Sequence, residues 1–146
     1  MNTAREPCIF CDIINRKAPA EILMENEDIL CILDVHPIHY GHALVIPKYH
    51  CRDFLELPER LYPAVLKSAQ LVSRALVEEY QLEGYNIFSN NGEIAGQTVF
   101  HFHLHITPRH SDDNIRFVLN LKRYAGNDLG EAGVRLRQRV HHLLHR

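Results

Sequence analysis

The sequence predicts an α+β domain. It contains five short strand-like runs, a long helix with one apolar face near the middle and a second amphipathic helix near the end. The strand-like runs are joined largely by links suited to antiparallel pairing, with helices left to cover the resulting sheet.

Residues 10–16 read as a short helix, with Cys8 and Cys11 about one turn apart at its start, where the helix dipole favours thiolate. Residues 21–24, 29–33 and 43–46 read as strands, separated by turn chemistry at Glu25-Asn26-Glu27-Asp28 and His36-Pro37. The long helix follows, since Leu61, Val65, Ala69, Val72, Leu76 and Tyr80 recur at helical spacing on one face. It begins between Pro58 and Pro63, and Gly84 lies just past its end. Residues 85–89 and 98–107 are the last two strands. From about Asp128 a final helix carries Leu129, Ala132, Leu136, Val140 and Leu143 on one face, with Gly130 and Gly133 weakening its first turns.

Length and composition set limits. At 146 residues and 46% hydrophobic, the chain reads as one domain over 1–146, with a motif-bearing core at about 8–109 and a basic segment at about 110–146. A formal charge of −2 gives no field for nucleic acid or an anionic membrane. From Arg109 onward there are eight Lys or Arg against four Asp or Glu, which reads as a solvated face rather than a polynucleotide site. No apolar run approaches the ~20 residues of a membrane span, and Met1-Asn2-Thr3-Ala4-Arg5-Glu6-Pro7 lacks the apolar core of a secretory leader. The expected location is cytoplasmic.

The most informative stretch is Gln97-Thr98-Val99-Phe100-His101-Phe102-His103-Leu104-His105-Ile106-Thr107. On a strand, His101, His103 and His105 share one face while Phe100, Phe102, Leu104 and Ile106 share the other. A solvated strand face has no structural need for three imidazoles, so they ask for a chemical reason. Alternate residues lie about 6.6 Å apart, a spacing suited to groups addressing one substrate or a metal beside it. The loop Asn90-Asn91-Gly92-Glu93-Ile94-Ala95-Gly96 leads into this stretch; its glycines suit a phosphate nest or an ordinary hairpin connection.

Of the four cysteines, Cys8 and Cys11 form the spaced pair, compatible with a redox site or half of a zinc site. No strand precedes them as a thioredoxin-like site requires, and zinc needs two further ligands. Cys31 sits in an apolar run and reads as core, whereas Cys51 is an alternative ligand beside His50.

The histidine run resembles the signature of the histidine triad (HIT) superfamily of nucleotidyl hydrolases and transferases. Cys8-Ile9-Phe10-Cys11-Asp12-Ile13-Ile14, Leu33-Asp34-Val35-His36-Pro37, Gly41-His42-Ala43-Leu44-Val45-Ile46-Pro47-Lys48-Tyr49-His50 and Asn90-Asn91-Gly92-Glu93-Ile94-Ala95-Gly96-Gln97 look like family blocks in family order. Thr107 departs from the pattern, where the family usually has an apolar residue. The resemblance implies an open antiparallel sheet, usually in a homodimer. It also implies a structural Zn2+ on Cys8, Cys11, His50 and His101.

By the same resemblance, His103 is the nucleophile that attacks the α-phosphorus of a purine nucleotide, leaving a nucleotidyl-histidine for water or another acceptor. His105 hydrogen-bonds a phosphoryl oxygen; Asn90, Gly96, Gln97 and Thr98 surround the phosphate. Asp34 accepts from the ribose hydroxyls, and Phe10 and Ile13 wall the base pocket. His42 props up the site. The implied substrates are nucleoside phosphoramidates or diadenosine polyphosphates. Two rival readings are a phosphohydrolase in which His-x-His binds a catalytic zinc, and a nucleotide-binding protein without turnover.

Overall fold

The computed structural model describes residues 7–145. Its strands are β1 (Ile22–Glu25), β2 (Ile29–Leu33), β3 (Ala43–Pro47), β4 (Gly84–Phe88) and β5 (Leu104–Arg109). Its α-helices are α1 (Ile9–Ile14), α2 (Tyr62–Tyr80) and α3 (Asp128–Leu144), with 3-10 turns at Phe54–Glu56, Glu59–Leu61 and Glu93–Ala95. The strands form one five-stranded sheet in the order β1-β2-β3-β5-β4, antiparallel at every pairing. The α+β architecture expected from the sequence is therefore the one observed.

The central strands show why two runs of the sequence are apolar without alternation. Ile29, Cys31, Ala43 and Val45 face α2 and pack with Val65, Ala69, Val72 and Leu76. Leu30, Ile32, Leu44 and Ile46 face the other way and pack with Phe10 and Ile13 of α1. A helix of six residues does not persist alone. Burial of Phe10 and Ile13, worth roughly 1.5–3 kcal/mol per side chain, holds it against the sheet.

Most boundaries fall within a residue of expectation, and three departures have a physical reason. The first helix stops at Ile14, short of residue 16, because Asn15 caps it and Arg16 turns left-handed with φ 60°. The long helix ends at Gln81, which takes the left-handed cap position at φ 50°, and Gly84 instead opens β4. The last strand, expected over 98–107, pairs only from Leu104. Upstream, the Phe102 N–H donates to the Cys51 carbonyl at 2.7 Å, and β4 has already ended at Phe88, opposite His105. The histidine run thus enters the sheet midway.

The chain divides into two compact units, one up to Ile115 and one from Arg116. The second contains α3, which starts at Asp128 as expected and has no buried residue. Among the described residues, no helix is long and apolar enough to cross a membrane.

Candidate active site and metal cluster

Although residues 98–103 lie off the ladder, the alternation of side chains survives. Phe102 and Ile106 join the core under α2. The rings of His101 and His103 meet the Phe10 ring of α1, at centroid distances of 5.9 and 5.0 Å.

One cluster is built from α1, the residue after the Pro47-Lys48-Tyr49 turn, and the first histidine of the run. Cys8 caps α1, accepting the Cys11 N–H on its sulfur at 3.4 Å. Cys8 Sγ lies 3.4 Å from His101 Nδ1, and Cys11 Sγ lies 3.3 Å from His50 Nδ1 and 3.6 Å from His101 Nδ1. His101 is fully buried, and its Nε2–H donates to the Pro47 carbonyl at 2.7 Å, which leaves the Nδ1 lone pair facing the thiols. The potential ligand atoms of Cys8, Cys11, His50 and His101 all lie within 4.8 Å of one another. Around a tetrahedral zinc, with Zn–S of about 2.3 Å and Zn–N of about 2.0–2.1 Å, sulfur and nitrogen donors sit about 3.6 Å apart. The observed sulfur-to-nitrogen distances of 3.3–3.6 Å fit such a centre. Cys31 and Cys51 stay outside it, packed in the core, where burial pushes their thiols up to about 12 and about 11.

The second and third histidines of the run present opposite chemistry. His103 Nδ1–H donates to the His101 carbonyl at 2.7 Å, so Nε2 keeps its lone pair. His105 is set by a longer chain of bonds. The Ile38 N–H donates to His42 Nδ1 at 3.1 Å, so the His42 proton is on Nε2 and is given to His105 Nδ1 at 2.9 Å. His105 therefore carries its own proton on Nε2. One ring offers an electron pair beside another that offers a hydrogen, with 4.7 Å between their centroids. Burial lowers the pKa of His103 and His42. It pushes His105 down to about 4, helped by the neighbouring His103 and His42. All three rings are neutral near pH 7.

These groups open into a cavity of about 560 Å³, walled by Phe10, Ile13, Ile32 and Leu44 and edged by Asp34, Thr98, His103 and His105. The volume falls in the ordinary range for small-molecule sites. Asp34 both starts a turn, accepting the His36 N–H at 2.9 Å, and borders the cavity, with its other oxygen 3.6 Å from His42 Nδ1.

The polar side chains of the glycine loop bond to the chain itself. Gln97 is buried; its Oε1 accepts the Gly92 N–H at 2.8 Å and its Nε2 donates to the carbonyls of Arg52 and Val99 at 2.7 and 3.1 Å. Its amide braces the loop. Asn90 donates to the Gly96 carbonyl at 3.2 Å, across a turn that Gly96 makes at φ +87°. Thr98 is the member of this set that lines the cavity. Sequence reading missed Phe88, whose ring stacks on His105 at 4.6 Å, and the Ile38 amide that orients His42. The first follows from strand register, the second from loop geometry, and neither leaves a residue pattern.

A family model described as "HIT domain" matches residues 15–112. The chain is 37% identical over 124 residues to an adenylylsulfatase of Arabidopsis thaliana, covering 85% of this chain and 63% of that protein. It is also 37% identical over 105 residues to an adenosine 5'-monophosphoramidase of Saccharomyces cerevisiae, covering 72% and 64%. The chain thus spans under two thirds of the length of either enzyme. The structure superposes on a zinc-bound histidine triad family protein from Mycobacterium smegmatis with a TM-score of 0.71 at 40% identity, covering 80% of this chain and 84% of the other.

Proposed function

The chain belongs to the HIT domain family, and from that premise we propose that it hydrolyses purine nucleotides at the α-phosphate through a transient nucleotidyl-histidine. The observation that carries this reading is the opposite protonation of two adjacent neutral rings: a lone pair on His103 Nε2 and a hydrogen on His105 Nε2. His103 Nε2 forms the bond to phosphorus as the bond to the leaving group breaks, the leaving group departing with the electron pair. The imidazolium so formed keeps its Nδ1–H on the His101 carbonyl, an acceptor already in place for the new positive charge. His105 Nε2–H donates to a phosphoryl oxygen as charge builds there. Water then attacks phosphorus and gives a proton to solvent, balancing the proton the leaving group takes up from solvent, as the P–N bond breaks and the pair returns to His103.

The base lies against Phe10 and Ile13, and Asp34 accepts from ribose hydroxyls at the cavity edge. The two related enzymes act, by their names, on an adenylyl sulfate and an adenosine monophosphoramidate. These names favour a leaving group attached directly to the α-phosphate, with nucleoside phosphoramidates the first substrates to assay and diadenosine polyphosphates the second. Rapid quenching into alkaline denaturant, in which a phosphorus–imidazole bond survives, during turnover of adenosine phosphoramidate should yield adenylate bound to His103; turnover with no adduct at any time point would sink the covalent route.

Zinc belongs, on this reading, to the Cys8, Cys11, His50 and His101 cluster, where four protein ligands leave no position for water and the metal's contribution is structural. A second group, Asp34, His42 and His105, is also close enough to hold an ion, which is the observation favouring a catalytic metal. A metal there competes with the Ile38 and His105 bonds for both nitrogens of His42, so the covalent reading is preferred.

We also propose a symmetric homodimer formed along β4, an edge strand whose outward Tyr85 and Ile87 are 45% and 47% exposed. Light scattering should give twice the 16.9 kDa chain mass.

A further inference from the structure

Helix α1 has two working sides. Cys8 and Cys11 offer their sulfurs to the metal cluster, while Ile9, Phe10 and Ile13, from the same six-residue helix and its cap, form one wall of the nucleotide cavity. The other cluster residue within reach of the chemistry is His101. Its Nδ1 faces the thiols and its backbone carbonyl holds His103 Nδ1–H at 2.7 Å. The Phe10 ring sits edge-on to both histidines, touching the metal side and the nucleophile side at once. Besides the burial of Phe10 and Ile13, α1 is anchored through Cys8 and Cys11 at the cluster, and a helix this short supplies little rigidity of its own.

We propose that the Cys8, Cys11, His50 and His101 cluster is a positioning site for the nucleotide, so that zinc bound there tightens nucleoside monophosphate binding through α1 and the His101 backbone. The proposal rests on the nucleotide-binding reading above and adds to it a coupling between two ligands. Zinc would join Cys8, Cys11, His50 and His101 by four metal bonds and so fix Phe10, Ile13 and the acceptor of His103 before the nucleotide arrives. The ordering cost that the nucleotide otherwise bears is thereby removed. Coupling of this kind is reciprocal, so the nucleotide must hold the metal more tightly by the same factor.

The test uses AMP as the probe. Calorimetry on zinc-loaded and chelator-treated protein, at a temperature where circular dichroism shows both folded, should give an AMP Kd weaker by on the order of tenfold without zinc, within the roughly 5- to 150-fold usual for coupled sites. Cobalt(II) substituted for zinc supplies a second readout: saturating AMP should shift its visible ligand-field bands and slow its capture by a chelator. Asp34→Asn, which weakens AMP at the cavity edge and touches none of the four cluster residues, should leave the ratio between the two metal states unchanged. Equal AMP affinity with and without zinc, together with unmoved cobalt bands, overturns the coupling while leaving nucleotide binding intact. If zinc-free protein unfolds, the cobalt measurement decides alone. Failure of AMP to bind even zinc-loaded protein overturns the nucleotide reading and this proposal with it.

Discussion

The hydrogen bond between His42 Nε2 and His105 Nδ1, 2.9 Å long, runs in one direction because the Ile38 N–H already occupies His42 Nδ1. A backbone amide only donates, so a single loop residue sets the proton positions of two imidazoles in series. His103 is set independently and in the opposite sense by the His101 carbonyl.

His103→Ala removes the group proposed to bond phosphorus. Turnover of adenosine phosphoramidate should fall by on the order of 10⁴ or more, by comparison with nucleophile deletions elsewhere. AMP binding by calorimetry should persist, because Asp34, Phe10 and Thr98 remain in the cavity. His105→Ala removes one donor and should cost roughly 10²- to 10³-fold. Retention of more than a few per cent of the rate by His103→Ala would refute the covalent mechanism.

His42→Leu should lower kcat by roughly 10²-fold, no more than loss of the His105 donor itself, and leave AMP affinity nearly unchanged. His42→Gln, which can place an amide donor near His105 Nδ1, should recover much of the loss. Imidazole nitrogen shifts by NMR should show His105 protonated on Nε2 in the wild type and mixed in the Leu variant. An unchanged tautomer in the Leu variant would remove His42 from its orienting role.

Acid should destabilise the fold before it reaches carboxylates. His42, His103 and His105 all have folded-state pKa values below the ordinary 6.5, His105 at about 4. Between those pH values the unfolded chain binds more protons than the folded one, so stability present above about pH 6.5 is lost as pH falls toward 4. His105, with its pKa furthest below 6.5, contributes the largest share of that loss. Urea midpoints should therefore drop between pH 7.5 and pH 4.5, and His105→Phe should blunt the drop.

Thr107→Val should stabilise the protein. The Thr107 side chain is 2% exposed, and its hydroxyl has no hydrogen-bond partner among the described residues. An unsatisfied buried polar group costs roughly 1–3 kcal/mol, and valine has nearly the same shape. A thermal midpoint at or below wild type would show that the hydroxyl has a partner after all.

Much of the fold was legible because burial leaves patterns. The continuous apolar runs of β2 and β3 mark strands covered on both faces, and the spacing from Leu61 to Tyr80 marks α2. The start of β5 was not legible, because it depends on which backbone group pairs with Phe102, and that partner, Cys51, is 51 residues away. Within the site, residue types pointed to the histidines, the cysteines and Asp34. They could not reveal that the Gln97 amide is consumed by Gly92, Arg52 and Val99, since that depends on how the loop closes. Nor does a sequence carry proton positions: the tautomer of His105 is decided by Ile38, a residue whose side chain plays no part.

The burial of two cysteines gives the chain two chemically distinct thiol populations. Cys31 and Cys51 are 0% and 2% exposed with thiols held protonated well above neutral pH, so alkylating reagents meet almost no thiolate there. Cys8 and Cys11 are partly exposed. Iodoacetamide applied to the native, metal-free protein should thus mark this pair alone, and protection of the pair reports how much of a preparation carries metal. The molecule counts its own occupancy without any engineered label.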